Sequence, residues 1–110
     1  MKTSEINFTV ELDENKLPEK IKWRASDSEM PDENECKAIM LGIWDHTHKS
    51  TLKIDLWTKD MPLDDMKRFF YESMMTMADT YERASGDEDS SDEIRKMAKS
   101  FGMKTELLKK

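Results

Sequence analysis

The chain has one cysteine, Cys36, so no disulfide can form within a single molecule. It has three glycines, too few and too scattered for a phosphate-cradling loop. Nowhere does an apolar run reach the length of a membrane span, and the first sixteen residues, MKTSEINFTVELDENK, lack the apolar stretch of a signal peptide. Those absences predict a cytoplasmic protein with no membrane insertion. Basic excess is also missing. The net charge is −6, which disfavours nucleic acid and anionic lipid as primary partners.

What is present is a 110-residue chain, the size of one domain. A single domain over 1–110 is expected, with a tail frayed from about residue 102. Ile6, Phe8, Val10 and Leu12 alternate with polar residues, and so do Ile21, Trp23 and Ala25. This period of two predicts strands over Ser4–Leu12 and Lys20–Ala25, joined as a hairpin. Acidic and basic outer rows would then lie side by side. The acid-rich segment from Asp27 to Glu35 reads as a loop. Asp32 and Glu35 stand at capping-box spacing, which predicts a helix from about Glu33 to His48. Its apolar stripe is Cys36, Ile39, Met40, Ile43 and Thr47, with Leu41 and Trp44 at the margin.

The stretch Trp44–Phe70 is the most informative of all, WDHTHKSTLKIDLWTKDMPLDDMKRFF. It predicts a strand over Thr51–Trp57, with Leu52, Ile54 and Leu56 inward and Lys53, Asp55 and Trp57 outward. Pro62 suits the first turn of a second helix, with Asp64 and Asp65 at its positive end. Its main stripe is Met66, Phe69, Phe70, Ser73, Met77, Tyr81 and Ala84, and Gly86 stops it. After an acidic loop at Asp87–Asp89, Ser90 and Glu93 predict the start of a third helix carrying Ile94, Met97, Ala98 and Phe101. Gly102 ends or kinks it. The fold class is therefore α+β, in the order ββαβαα. The sheet is three-stranded and mixed, of order 2-1-3, with helices on one face.

No constellation here reads as catalytic. His46 and His48 diverge on a helix, and no further ligand stands at metal spacing. Cys36 belongs to an apolar stripe, so a buried and unreactive thiol is expected. No residue is assigned to catalysis, a cofactor or a metal. Two features point to a partner instead. Trp57 faces the open side of the sheet beside Lys53 and Asp55, and an exposed Trp is a common interface anchor. Tyr71 and Met75 lie with Met74 and Ala78 on the second side of a helix that is apolar on two sides. Such a helix is sandwiched, here by the third helix or by another protein.

Several blocks of this sequence look familiar together. They are TSEINFTVELDENKLPEKIKW (Thr3–Trp23), WDHTHKSTLKIDLWTKDM (Trp44–Met61), DDMKRFF (Asp64–Phe70) and ASGDE (Ala84–Glu88). They resemble the GldC family of gliding motility-associated proteins, over most of the chain and least after about Glu93. The resemblance implies an accessory factor encoded with the gliding machinery of Bacteroidota. It carries over no catalytic residue and no ligand set. The expectation is a non-enzymatic cytoplasmic interaction protein whose partner belongs to the gliding or envelope machinery, with a homodimer contact as a second use of the same surface. The alternative is a small-molecule-binding domain with a pocket between the sheet and the Met-rich second helix.

Overall fold

A computed structural model describes residues 2–27 and 32–108. The chain forms two compact units, residues 1–61 and 62–110. Its elements are β1 (Ile6–Leu12), β2 (Pro18–Ala25), β3 (Asn34–Cys36), β4 (Ala38–Asp45), β5 (Ser50–Trp57), α1 (Leu63–Ser85) and α2 (Glu88–Lys104). It is an α+β protein with strands first and helices last.

The first hairpin forms as its alternation dictates. β1 and β2 pair antiparallel, with Phe8 opposite Trp23 and Val10 opposite Ile21. Ile21 is fully buried at the centre of this sheet. On the other face Glu11 stands opposite Lys20, and its carboxylate reaches Lys22 at 3.8 Å. Asp13 closes the turn, accepting the backbone N–H groups of Asn15 and Leu17 at 2.8 and 3.0 Å. β3 adds to the far side of β2, with Cys36 opposite Ile21.

The helix expected from Glu33 to His48 does not form. Two strands, β3 and β4, occupy that segment, and Cys36 lies in a different sheet from Ile39, Met40 and Ile43. The physical reason is local ambiguity settled by long-range pairing. Ala38–Trp44 is a short apolar run containing Gly42 and β-branched Ile39 and Ile43, which suits a strand as well as a helix. Asp45 then turns the chain. Its side chain accepts the N–H groups of Thr47 and His48 at 3.3 and 3.2 Å, and its carbonyl accepts from Lys49 at 2.9 Å. Lys49 sits at φ 54°, a left-handed conformation that completes the reversal. The returning strand β5 pairs antiparallel with β4, placing Ile39, Leu41 and Ile43 opposite Leu56, Ile54 and Leu52. Six apolar side chains thus share one face, but the inward placement expected of Leu52, Ile54 and Leu56 holds only in part: Leu56 is half-buried, while Leu52 and Ile54 are exposed. Asp32 and Glu35 cap nothing together. Glu35 instead meets Lys20 and Lys37, each at 3.6 Å. Positions 28–31 of the expected acidic loop lie outside the described residues.

The expected strand order 2-1-3 is also corrected. β2 is central in a sheet of order β1-β2-β3, and β4-β5 is a separate two-stranded sheet. All pairings are antiparallel, so the sheet is not mixed. Among the described residues no helix lies between β2 and β5, so the expected helical crossover is not there to make them parallel.

The helical unit begins where Pro62 and the acids at 64 and 65 place it. Gly86 ends α1 at φ 74°, donating its N–H to the Glu82 carbonyl at 2.8 Å. α2 starts two residues before the expected Ser90. Asp87 is its N-cap and accepts the Ser90 N–H at 3.0 Å, so the supposed acidic loop is the cap and first turn. α1 and α2 meet through small residues. Ala78, Ser91 and Ala98 are fully buried, and Gly102 is buried beside them. α2 runs through Gly102 to Lys104, and the Leu108 N–H returns to the Gly102 carbonyl at 2.9 Å. A methyl group on Gly102 would meet Leu108 at 2.8 Å and Tyr71 at 3.3 Å.

Candidate interaction surface

The strand unit carries the surface that contains Trp57. β5 alternates, so Lys53, Asp55 and Trp57 share the face opposite Leu52, Ile54 and Leu56. Lys53 donates to Asp55 across 3.3 Å, and its aliphatic stem passes 3.8 Å from where a Cβ on Gly42 would stand. Trp57 lies opposite Ala38, a neighbour too small to shield an indole, and remains 56% exposed. Trp44 occupies the same face at the other end of the hairpin and is also exposed.

The position of Trp57 is held from behind. Thr58 is buried, and its N–H donates to the Lys37 carbonyl at 2.8 Å, tying the end of β5 to the entry of β4. The next residue, Lys59, reaches the β1–β2 turn and donates to Asp13 at 2.9 Å. That contact, with the N–H groups of Leu17 and Asn15, holds the Asp13 carboxyl at a pKa of about 2. The two hairpins of the strand unit are thereby fastened at one corner.

At this corner lies an apolar cleft of about 270 Å³, lined by Leu17, Pro18, Asp55, Leu56, Trp57 and Lys59. On the other side of Lys59 is a polar hollow of about 430 Å³, lined by Leu12, Asp13, Glu14, Asn15 and Glu19. The arrangement offers an aromatic wall and an aliphatic floor, with charge at the rim. It suits a projecting apolar side chain whose backbone stays wet. Leu17, Lys59 and Asp13 belong to this corner and carry no sequence signal of it. They come together only through the contact between the turn after β1 and the end of β5.

Tyr71 and Met75 stand elsewhere, on α1 in the helical unit. They are half-buried on the same side as Ala78 and Glu82. α2 covers that side: Tyr71 packs against Gly102, and Arg95 of α2 donates to Glu82 at 2.9 Å and Asp79 at 2.8 Å. Of the two readings of the doubly apolar helix, the third helix is the cover. The stripe expected to be buried most deeply, including Phe70, Met77 and Tyr81, is the more exposed one. Phe70 still stacks on Phe101, with ring centres 6.2 Å apart.

His46 and His48 lie in the β4–β5 turn rather than on a helix. The His48 ring nitrogen bonds the Asp45 carboxylate, which holds that carboxyl below its ordinary value. Among the described residues, no three His, Cys, Asp or Glu side chains gather into a metal site. Cys36 is half-buried in β3, and burial pushes its thiol pKa up, which lowers its thiolate fraction. No helix in the described residues is long and apolar enough to cross a membrane.

Two antiparallel sheets followed by a helical hairpin, with a Trp-walled cleft on the strands, define a small α+β protein. The family model described as "Gliding motility-associated protein GldC-like" matches residues 18–107, and the chain belongs to that family. No curated protein and no solved structure matches it.

Proposed function

We propose that this chain is a non-enzymatic cytoplasmic accessory protein of the gliding machinery, and that it holds a protein partner at the Trp57 corner. Family membership supplies the association with gliding motility. The observation that carries the contact is the exposed Trp57 walling an apolar cleft with Leu17, Pro18 and Leu56. Lys53 and Asp55 flank it as an exposed ion pair, able to exchange partners at little cost. The size of the cleft favours a side chain over a metabolite. At about 270 Å³ it falls below the roughly 300–1,000 Å³ of ordinary ligand sites. One leucine- or phenylalanine-sized anchor from a partner fits it better.

The test is affinity purification of tagged chain from its native host, followed by mass spectrometry, with wild type and Trp57→Ala in parallel. Wild type is expected to retain identified motility or envelope components, and Trp57→Ala to lose them. Equal recovery by both chains would remove Trp57 from the contact. Recovery of no such component by either would overturn the accessory role.

A further inference from the structure

We infer that the partner segment received at the Trp57 corner is basic: a leucine- or phenylalanine-sized anchor enters the apolar cleft, and a lysine or arginine close to it enters the polar hollow next door. The inference rests on the proposed use of the Trp57 corner and names the chemistry of what binds there. The two depressions share one wall, the side chain of Lys59. Leu17 and Pro18 line the cleft, and the next residue, Glu19, lines the hollow. An occupant of one therefore stands beside the other.

The charge of the hollow is unbalanced. Asp13, Glu14 and Glu19 bring three carboxylates to it, against the single ammonium of Lys59. That ammonium is already committed to Asp13 at 2.9 Å. The glutamates that form ion pairs among the described residues are Glu11, Glu35, Glu82 and Glu93, which leaves Glu14 and Glu19 without a cation. Among the described residues no three acids gather closely enough to hold a metal ion. They are spread instead around a hollow of about 430 Å³, which suits a long cationic side chain better than a bare ion. Leu12 also lines the hollow and is exposed. A lysine or arginine can lay its aliphatic stem on Leu12 and keep its charged head among the acids.

The cleft itself adds no competing charge, because Asp55 on its wall is paired with Lys53 at 3.3 Å. Anchor and cation are thus selected by separate surfaces. In an extended peptide, side chains two residues apart point to the same side and stand roughly 7 Å apart, enough to straddle Lys59. A carboxylate at the second position would meet Glu14 and Glu19 and be repelled. The net charge of −6 acts in the same sense at longer range, drawing a basic segment towards the chain.

The experiment is an NMR titration of the full chain with three probe peptides: Ser-Gly-Leu-Ser-Arg-Gly-Ser, and its counterparts with Glu for Arg or Ala for Leu. The indole N–H of Trp57, assigned by its loss in Trp57→Ala, reports the cleft, and the amides of Glu14 and Glu19 report the hollow. The Leu–Arg peptide should shift all three signals and bind about threefold to tenfold more tightly than the Leu–Glu peptide, the range for one or two exposed ion pairs. About 1 M salt should erase that preference, while the Ala–Arg peptide stays the weaker binder throughout. In a variant carrying both Glu14→Gln and Glu19→Gln, with circular dichroism confirming the fold, the two leucine peptides should bind alike. Equal binding of Leu–Arg and Leu–Glu by wild type, or a preference that the double variant retains, overturns the basic partner and leaves the Trp57 cleft standing. A Trp57 signal that no peptide moves up to about 10 mM overturns the cleft as a side-chain site, and this inference with it.

Discussion

The strand unit and the helical unit are held together by opposite means. In the strand unit the fixed points are far apart in sequence. Lys59 bonds Asp13, Lys37 bonds Asp60 at 3.2 Å, and the β3 strand closes onto β2. Among the described residues, Ile21 is its only large aliphatic side chain that is fully buried. The helical unit is held instead by close approach. Ala78, Ala98, Ser91 and Gly102 let two helix surfaces meet without bulky side chains between them. Arg95 then bridges the pair, reaching Asp79, Glu82 and Asp92 at 2.8 to 2.9 Å. Those three carboxylates push its pKa upward, so it is charged under all ordinary conditions. A sheet with one deep side chain is sensitive to losing volume. A helix pair built on small residues is sensitive to gaining it.

The contrast is broken most directly by exchanging the two kinds of change. Ile21→Ala should cost about 2–5 kcal/mol, the range for emptying a buried aliphatic site. Ala98→Leu should cost about 1–3 kcal/mol through overpacking. Chemical denaturation followed by fluorescence and circular dichroism measures both. The complementary pair sharpens the point: truncating the exposed Met97, one residue from Ala98, should change stability by less than about 0.5 kcal/mol. If Ala98→Leu were neutral, the helices would not be in close contact.

Gly86→Ala probes a smaller term in the helical unit. Nothing lies within 4 Å of the position a Cβ would take, so sterics with neighbours contribute nothing. The residue stands at φ 74°, where a Cβ conflicts with its own backbone, and the expected loss is about 1–2 kcal/mol. Gly86→Asn should lose less, since Asn tolerates this conformation. Equal losses would mean that α1 ends by some means other than a left-handed cap.

These two units also differ in how much of them could be read from the chain. α1 was legible because its signals are local: Pro62, two acids and Gly86 bracket one amphipathic run. The first hairpin was legible because seven residues of strict alternation leave no other period. β4 was not. Ala38–Trp44 is apolar throughout, so neither period stands out, and Asp32 with Glu35 imitated a cap. What settles that segment is the turn at Asp45 and the partner strand it delivers. Each residue of that turn is unremarkable alone. Trp57 is exposed as alternation suggests, but Leu52 and Ile54 on the opposite face are exposed too, so alternation sorted the two faces without telling which is covered. The cleft beside it was invisible, because Leu17 and Lys59 are forty-two residues apart in the chain and meet only when both hairpins have formed. For α2 the cap expected at Ser90 stands three residues earlier, at Asp87, and Ser90 is a first-turn residue whose N–H that cap accepts.

The last prediction concerns the corner where the two hairpins meet, and its sign follows from Asp13. The ordinary pKa is 3.8, and the Lys59 ammonium with the turn N–H groups lowers it to about 2. A carboxylate with a depressed folded pKa contributes stability that is fully present above its unfolded value. That contribution fades as pH falls from about 4 towards about 2. In an NMR titration of the folded chain, the Asp13 carboxyl should titrate near 2. In Lys59→Ala it should move up towards 3.8, although the Leu17 and Asn15 N–H groups hold part of the shift. Lys59 is about half exposed and its charge is screened by water, so at neutral pH the variant should lose little stability although Asp13 is mostly covered. Its more visible effect is positional. Lys59 lines the Trp57 cleft, and removing its side chain should change the emission of the indole without unfolding the sheet. An Asp13 titration that stays near 2 in Lys59→Ala would show that the turn alone fixes the carboxylate. The two hairpins would then be joined through the Thr58–Lys37 backbone contact and not through this ion pair.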